Sequence, residues 1–428
     1  MSSKKSDRRK FLKTSAALAG LAVGGVPVAI GQAPSASGVR DLHAYGERSR
    51  FETSIRTGNN GYFGNMRDDL PKPGVRRDIG LRAPLQDSMG IITPASVHYV
   101  ISHGYEPPAI NPMEHRLLVH GMVDHPLTFT MEDLKRLPSV SRVHFIECRA
   151  NGDPARLERK MPNATAQTTH GFSSCSVWTG VALSTLLKDV GVKSGATWVI
   201  AQSTKPDSHT KSIPMAKAMD DVLIAYGQNG EAVRPEHGYP LRLVVPGYEG
   251  INNVKWLGML RAANEPYMDK RETTDYPELR PDGKARWFNS EMGPNSVITF
   301  PSGGQQLTGR GYYQIGGLAW SGGGAIRRVE VSIDGGRSWK DAEVQAPVHS
   351  KAFTRFGFGW NWNGQETLLQ SRSSDERGDR QPTVAEMAKM WNLPVSYYES
   401  APFLIGHFCV IQTWKVLPDG SVQNALFT

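Results

Sequence analysis

Residues 326–341 read IRRVEVSIDGGRSWKD, and this stretch constrains the fold more tightly than any other. Val329, Val331 and Ile333 alternate with Glu330 and Ser332, the period of a strand with one buried face. The chain then turns at Asp334, Gly335 and Gly336 before Trp339, which is the signature of a β-hairpin. Two further apolar segments, ETLLQSRSSD and CVIQTWKVLPDGSVQNA, repeat the pattern downstream. From Pro294 onward the spacing therefore predicts an all-β domain of the sandwich type, residues 294–428.

Upstream the pattern differs. Between about Thr93 and Tyr267, short apolar strands such as EHRLLVHGMV, VHFIEC, TWVIAQS and PLRLVVPG alternate with helical stretches. TMEDLKRLP is one of these, amphipathic and opened by Thr130; TGVALSTLLKDVGV is another. Mixed strands and short helices predict an α+β domain over residues 86–293 with its functional groups on loops. Residues 33–85 are polar, rich in Gly and Pro and weakly periodic, so they read as an extended arm.

Residues 1–32 carry Lys4, Lys5, Arg8, Arg9, Lys10 and Lys13 against Asp7, a net of +5. That leaves only +3 of the total +8 for the remainder, and no nucleic-acid-binding module accompanies it. A weakly basic docking face for an acidic partner is as far as charge extends. The paired Arg8 and Arg9, followed by a mildly apolar run broken by Gly20, Gly24, Gly25 and Pro27, read as a twin-arginine export signal rather than a membrane span. A periplasmic address follows, and this route suits a chain that folds around a complex cofactor before export.

There are three cysteines, Cys148, Cys175 and Cys409, and no C-x-x-C or C-x-x-C-H. A zinc knuckle, an iron–sulfur set and a covalently attached c-type haem are therefore not expected in this chain. Cys175 and Cys409 can pair or be buried singly, and the sequence leaves both open. Cys148, in FIECRANGD, follows a β-prone run and precedes Asn151, Gly152 and Asp153, so it falls where a strand runs out into a loop. A lone thiol in such a place is more often a small packed hydrophobe than a ligand. No nucleophile elbow or protease signature frames it; a soft thiolate there can instead hold a soft metal whose remaining ligands come from a cofactor. A second cluster lies between Ala225 and Gly258, where His237, Arg242 and Lys255 are separated by Gly and Pro that bring backbone close to a ligand. Arg and Lys suit a phosphate, and His can bond a heteroaromatic ring; equally, the three can be solvated residues flanking an apolar strand.

Together FIECRAN, HRLLVHGMVDHPLTFTMEDLKRLP, WTGVALSTLL, HGYPLRLVVPGYEG, NNVKWLG, KRETTDY, GLAWSGGGAIRRVEVSIDGGRSW and LLQSRSSDERGDRQPT carry a resemblance. From about Asp87 to the C-terminus the chain resembles the sulfite oxidase family of molybdenum enzymes, most closely the SoxC branch, the molybdenum subunits of periplasmic sulfane dehydrogenases. The resemblance implies a mixed α+β molybdopterin-binding domain followed by an immunoglobulin-like dimerisation domain. It implies that Cys148 ligates molybdenum, that His103, His237, Arg242 and Lys255 hold the molybdopterin, and that Tyr276 is the active-site tyrosine beside the metal. It further implies a homodimer that passes electrons to a c-type cytochrome, with a sulfur-carrier protein as a further partner.

Sulfite oxidases place arginines two residues before that histidine and five after that cysteine; here Ile101 and Asp153 stand there. Losing two bidentate cations and gaining a carboxylate is expected to weaken the grip on sulfite. Arg149 is adjacent to Cys148, but neighbouring side chains on an extended segment point opposite ways. The expected activity is oxidation of reduced sulfur, either sulfane sulfur on a carrier or sulfite. A direct sulfite dehydrogenase, a reductase of the methionine-sulfoxide type and a non-catalytic periplasmic binding module are the rivals.

Overall fold

The computed structural model describes residues 48–60, 79–102, 107–153, 157–204, 209–279, 284–288, 290–400 and 406–427. Residues 52–428 form one compact unit. The export segment and His103 lie outside the described residues. Among the described residues, no helix is long and apolar enough to cross a membrane.

The α+β part is built on two sheets. In one, the strand Ser139–Glu147 pairs antiparallel with Ser173–Ala182, which pairs with Leu223–Gln228, and Arg242–Val244 joins the far side of that strand. In the other, Leu127–Thr130, Arg116–Gly121, Leu257–Ala263, Trp198–Ser203 and Thr210–Pro214 lie in that order, parallel only where Arg116–Gly121 meets Leu257–Ala263. Between them is an apolar layer that includes Leu117, Val119, Val181, Val199, Ile224 and Leu260. The amphipathic stretch after Thr130 forms a helix over Met131–Arg136, because the Thr130 side chain accepts from the Asp133 amide while Asp133 returns a bond to the Thr130 backbone.

The C-terminal part is a sandwich of two antiparallel sheets. One contains Asn295–Phe300, Gly311–Trp320, Thr354–Trp362 and Glu343–Val344; the other contains Lys340–Asp341, Ile326–Ser332, Thr367–Asp375, Thr413–Val416 and Val422–Asn424. The hairpin expected at Asp334–Gly336 is present, with Val331 opposite Lys340 and Glu330 opposite Asp341. Ser332 and Ser338 both donate to the Asp334 carboxylate, which closes the turn. The three cysteines form no disulfide; Cys175 and Cys409 are buried separately.

One apolar core serves both parts. Phe145, Ile146 and Trp178 of the first sheet belong to the same cluster as Leu318, Trp320, Val331, Phe353 and Trp414 of the sandwich. At the seam two glycines meet. A Cβ on Gly322 would lie 2.2 Å from the Gly247 carbonyl oxygen, and one on Gly247, at φ +78°, 2.5 Å from the Gly322 carbonyl oxygen. Met292 threads between them, its amide donating to Gly247 and its carbonyl accepting from Gly322. Replacing Gly322 with alanine forces backbone apart at this seam and is expected to lower stability by about 3 kcal/mol. Urea unfolding should show the midpoint falling with an unchanged slope.

Candidate active site

Cys148 is the first residue beyond the strand Ser139–Glu147, half-buried and opening onto a pocket. The loop after it is pinned: the Asn151 amide donates to the Cys148 carbonyl, the Asn151 side chain accepts from the Phe172 amide, and its Nδ2 donates to Glu147. Glu147 itself is fully buried. Its carboxylate accepts from Trp320 Nε1 at 2.7 Å and Asn151 Nδ2 at 2.8 Å, and burial raises its pKa to about 7 against the opposing pull of those bonds.

Five of the six sequence candidates come together here: Cys148, His237, Arg242, Lys255 and Tyr276 all line the one pocket. The second cluster assembles because His237 ends a short 3-10 turn, Pro235–His237, that stops at Gly238 with φ +113°. A Cβ on Gly238 would stand 3.0 Å from Lys255 Cα and 3.1 Å from Arg242 Cβ, so glycine lets the three segments close on each other. Arg242 is buried over the Trp178 ring, and its guanidinium donates to the carbonyls of His237 and Asn253. Lys255 Nζ donates to the carbonyls of Ile101 and Glu236. These two cations therefore brace the pocket backbone while lending it positive charge.

Three histidines share a design. His98 Nδ1 lies 3.0 Å from the Tyr99 carbonyl, His237 Nδ1 3.0 Å from Gln228 Oε1, and His209 Nε2 3.0 Å from the Ile251 carbonyl. A carbonyl oxygen only accepts, so each of these ring nitrogens carries the proton. Burial lowers the pKa of His98 and of His209 to about 3 and that of His237 well below its usual value, so all three rings are neutral. Their remaining nitrogens, His98 Nε2, His237 Nε2 and His209 Nδ1, are buried acceptors with no partner among the described residues. All three residues line the pocket, and spare ring acceptors at its edge suit a heterocycle rich in N–H groups, of which a pterin is one. His98 and His209 were not legible as site residues, because each is a single histidine on a segment remote in sequence from Cys148.

Tyr276 follows a five-residue π-helical turn, Arg271–Asp275, and its amide bonds the Arg271 carbonyl. Two cations approach its ring, Arg149 Cζ at 5.2 Å and Lys211 Nζ at 5.0 Å, and Lys211 is itself paired with buried Glu272 at 2.7 Å. Burial, then the negative neighbours Cys148 and Glu249, hold the phenol pKa well above its usual value. Tyr276 is thus a hydroxyl donor across the neutral range. Arg149 sits in the turn that follows Cys148; it is not part of the pocket lining and donates to the Tyr276 carbonyl at 2.6 Å.

One expectation changes. Ile101 lines the pocket, but Asp153 does not; it lines a smaller separate cavity with Arg82, Arg159, Thr168 and Thr169. Gly152, at φ +75°, turns the chain after Asn151 and carries Asp153 toward Arg159. The carboxylate is absorbed behind the Cys148 loop and does not oppose an anion in the pocket. Among the described residues no cluster of three His, Cys, Asp or Glu side chains forms a metal site by itself.

Comparison with known proteins agrees with this construction. Residues 103–270 match the oxidoreductase molybdopterin binding domain family, and residues 286–398 match the Mo-co oxidoreductase dimerisation domain family. The chain is 31% identical over 383 residues to a nitrate reductase [NADH] of Volvox carteri, covering 77% of this chain and 44% of that protein. It is 33% identical over 322 residues to nitrate reductase [NADH] 1 of Arabidopsis thaliana, covering 67% and 34%. The chain thus spans less than half the length of these curated relatives. Among solved structures it matches the sulfane dehydrogenase SoxCD of Paracoccus pantotrophus with a TM-score of 0.80 and 37% identity, covering 91% of this chain and 95% of that one. Fold and pocket define a molybdopterin-binding oxidoreductase. The chain belongs to the sulfite oxidase family of molybdenum enzymes.

The buried histidines predict a pH dependence. Their folded pKa values lie below the unfolded value, so the stability they contribute is full above about pH 6.5 and is lost as pH falls toward 3. Each contributes a slope of up to about 1.4 kcal/mol per pH unit in that window. Unfolding measured from pH 7 to 4.5 should become shallower by about that amount per unit in His98→Gln, with no change above pH 7.

Proposed function

We propose that this chain is the molybdenum-bearing subunit of a dehydrogenase that oxidises reduced sulfur, sulfane sulfur on a carrier protein or sulfite, and passes the electrons to a c-type cytochrome. The observation that carries this reading is the likeness to the sulfane dehydrogenase structure at 37% identity over 95% of that chain. The thiol of Cys148 at the pocket wall and the acceptor-lined recess beside it support it.

In this reading Cys148 holds the metal through its thiolate. His103, His237, Arg242 and Lys255 are the cofactor-holding residues of the resemblance, and His98 and His209 add two acceptors. When bound, the cofactor supplies two-electron redox chemistry and oxygen-atom transfer. The protein's part is positional. His98 Nε2, His237 Nε2 and His209 Nδ1 accept from ring N–H groups, Arg242 and Lys255 offset negative charge, and Tyr276 presents a hydroxyl proton beside Cys148 to an oxygen of the substrate. Val100, Ile101, Ile146 and Ile251 supply an apolar wall that limits water.

The division into an export segment 1–32, an arm 33–85, a cofactor domain 86–293 and a dimerisation domain 294–428 belongs to the same reading. So does periplasmic export through Arg8 and Arg9, and a homodimer through the sandwich. Purified protein is expected to contain molybdenum at about one per chain and no haem; stoichiometric haem or absent molybdenum overturns the reading. Cys148→Ser should lower turnover by at least about 100-fold, beyond the 10–100-fold effect of changes around a metal's ligands. A substrate panel of thiosulfate-loaded carrier, free sulfite and nitrate identifies the reaction. A low micromolar KM for sulfite would move the assignment to a direct sulfite dehydrogenase.

A further inference from the structure

A buried polar pair lies just outside the pocket lining. Glu249 is buried at 3% exposure, and its carboxylate lies 2.5 Å from His407 Nε2. The two are separated by 158 residues of chain. Glu249 immediately precedes Gly250, which lines the pocket so closely that a Cβ there would stand 2.6 Å from the Tyr99 hydroxyl and 3.4 Å from Cys148 Cα. His407 belongs to the C-terminal segment that enters the last strands of the sandwich.

Three further contacts tie His407 to the reacting end of the pocket. Its amide donates to the Arg149 carbonyl at 3.2 Å, and Arg149 Nη1 donates to the Tyr276 carbonyl at 2.6 Å. Gly406 packs against the Arg149 guanidinium, where a Cβ would approach Nη2 to 2.2 Å and displace that side chain. His407 itself has φ +55°, a left-handed conformation uncommon among non-glycine residues. With that φ the backbone reaches Arg149 while the imidazole reaches Glu249.

We propose that Glu249 and His407 are a positioning pair for Tyr276, by which the C-terminal part of the chain completes the pocket that holds Cys148. Glu249 holds the His407 imidazole, His407 anchors the Arg149 backbone, and Arg149 fixes the backbone and ring of Tyr276 beside the thiol. The inference rests on reading this pocket as the molybdenum site.

The test uses the full-length, cofactor-loaded protein and the variants Glu249→Gln, His407→Ala and His407→Gln, whose amide keeps a donor. Molybdenum content, the Mo(V) electron paramagnetic resonance spectrum after dithionite titration, and kcat and KM with sulfite and thiosulfate against ferricyanide are measured on each. The expected result is molybdenum at the wild-type level in all three. In Glu249→Gln and His407→Ala the Mo(V) spectrum shifts and kcat falls about 10–100-fold with KM nearly unchanged; His407→Gln recovers most of both. Molybdenum-replete Glu249→Gln and His407→Ala with the wild-type spectrum and kcat overturn the proposal. So does early melting with loss of molybdenum that His407→Gln does not relieve, which assigns the pair to folding alone. Wild-type protein lacking molybdenum is a separate result, overturning the reading of the pocket beneath the proposal.

Discussion

The Glu147 carboxylate is the interaction on which the rest of the structure depends. It lies one residue before Cys148 and accepts from Trp320 of the sandwich on one oxygen and from Asn151 of the following loop on the other. A buried carboxylate left without donors is costly, so both donors must be in place for the chain to close. The strand end that carries Cys148, the loop that turns away from it and the sandwich are thereby fixed to one another. Trp320 and Phe145 also share one apolar core, so no independent hinge separates the wall bearing Cys148 from the C-terminal part.

That coupling explains why the pocket draws on so many distant segments. Its lining comes from residues near 98–101, 146–148, 209, 236–256 and 276, and each segment is placed by a local device. Gly238 permits the close approach of His237, Arg242 and Lys255, and Gly250 permits the approach of its loop to Tyr99 and Cys148. The π-helical turn before Tyr276 brings that ring near Arg149 and Lys211. The charge pattern is consistent throughout: neutral histidines offer lone pairs, and cations are held by carbonyls or by a buried carboxylate. A site so arranged needs little reorganisation when a polar, anionic ligand enters it.

Much of this was legible in the residues. The period-two run through Val329, Val331 and Ile333 foretold its hairpin because side-chain alternation and turn chemistry are both local. Thr130 foretold its helix for the same reason. His237, Arg242 and Lys255 were legible as a cluster because the glycines and prolines between them report close backbone approach. His98, His209, Glu249 and His407 were not. Each owes its place to tertiary contacts with a segment far away in sequence, and nothing in its own neighbourhood marks it. Asp153 shows the converse: its position in the sequence put it in the pocket, but a single left-handed glycine, Gly152, rotated it out.

Asp153 and Ile101 together shape what the pocket favours. With the carboxylate withdrawn toward Arg159, the pocket loses the bidentate grip of two arginines without acquiring a repulsive charge. Ile101 replaces a cation with an apolar contact beside Val100, Ile146 and Ile251. The cations that line the pocket, Arg242 and Lys255, are bonded to backbone carbonyls, and Arg149 and Lys211, outside the lining, approach the Tyr276 ring. Such a wall discriminates less in favour of a small doubly charged oxyanion than one lined by free arginines, and it better tolerates a soft, weakly charged sulfur presented on a larger carrier. The selectivity of the proposed sulfur dehydrogenase therefore follows from where its charges are tied down more than from how many it has.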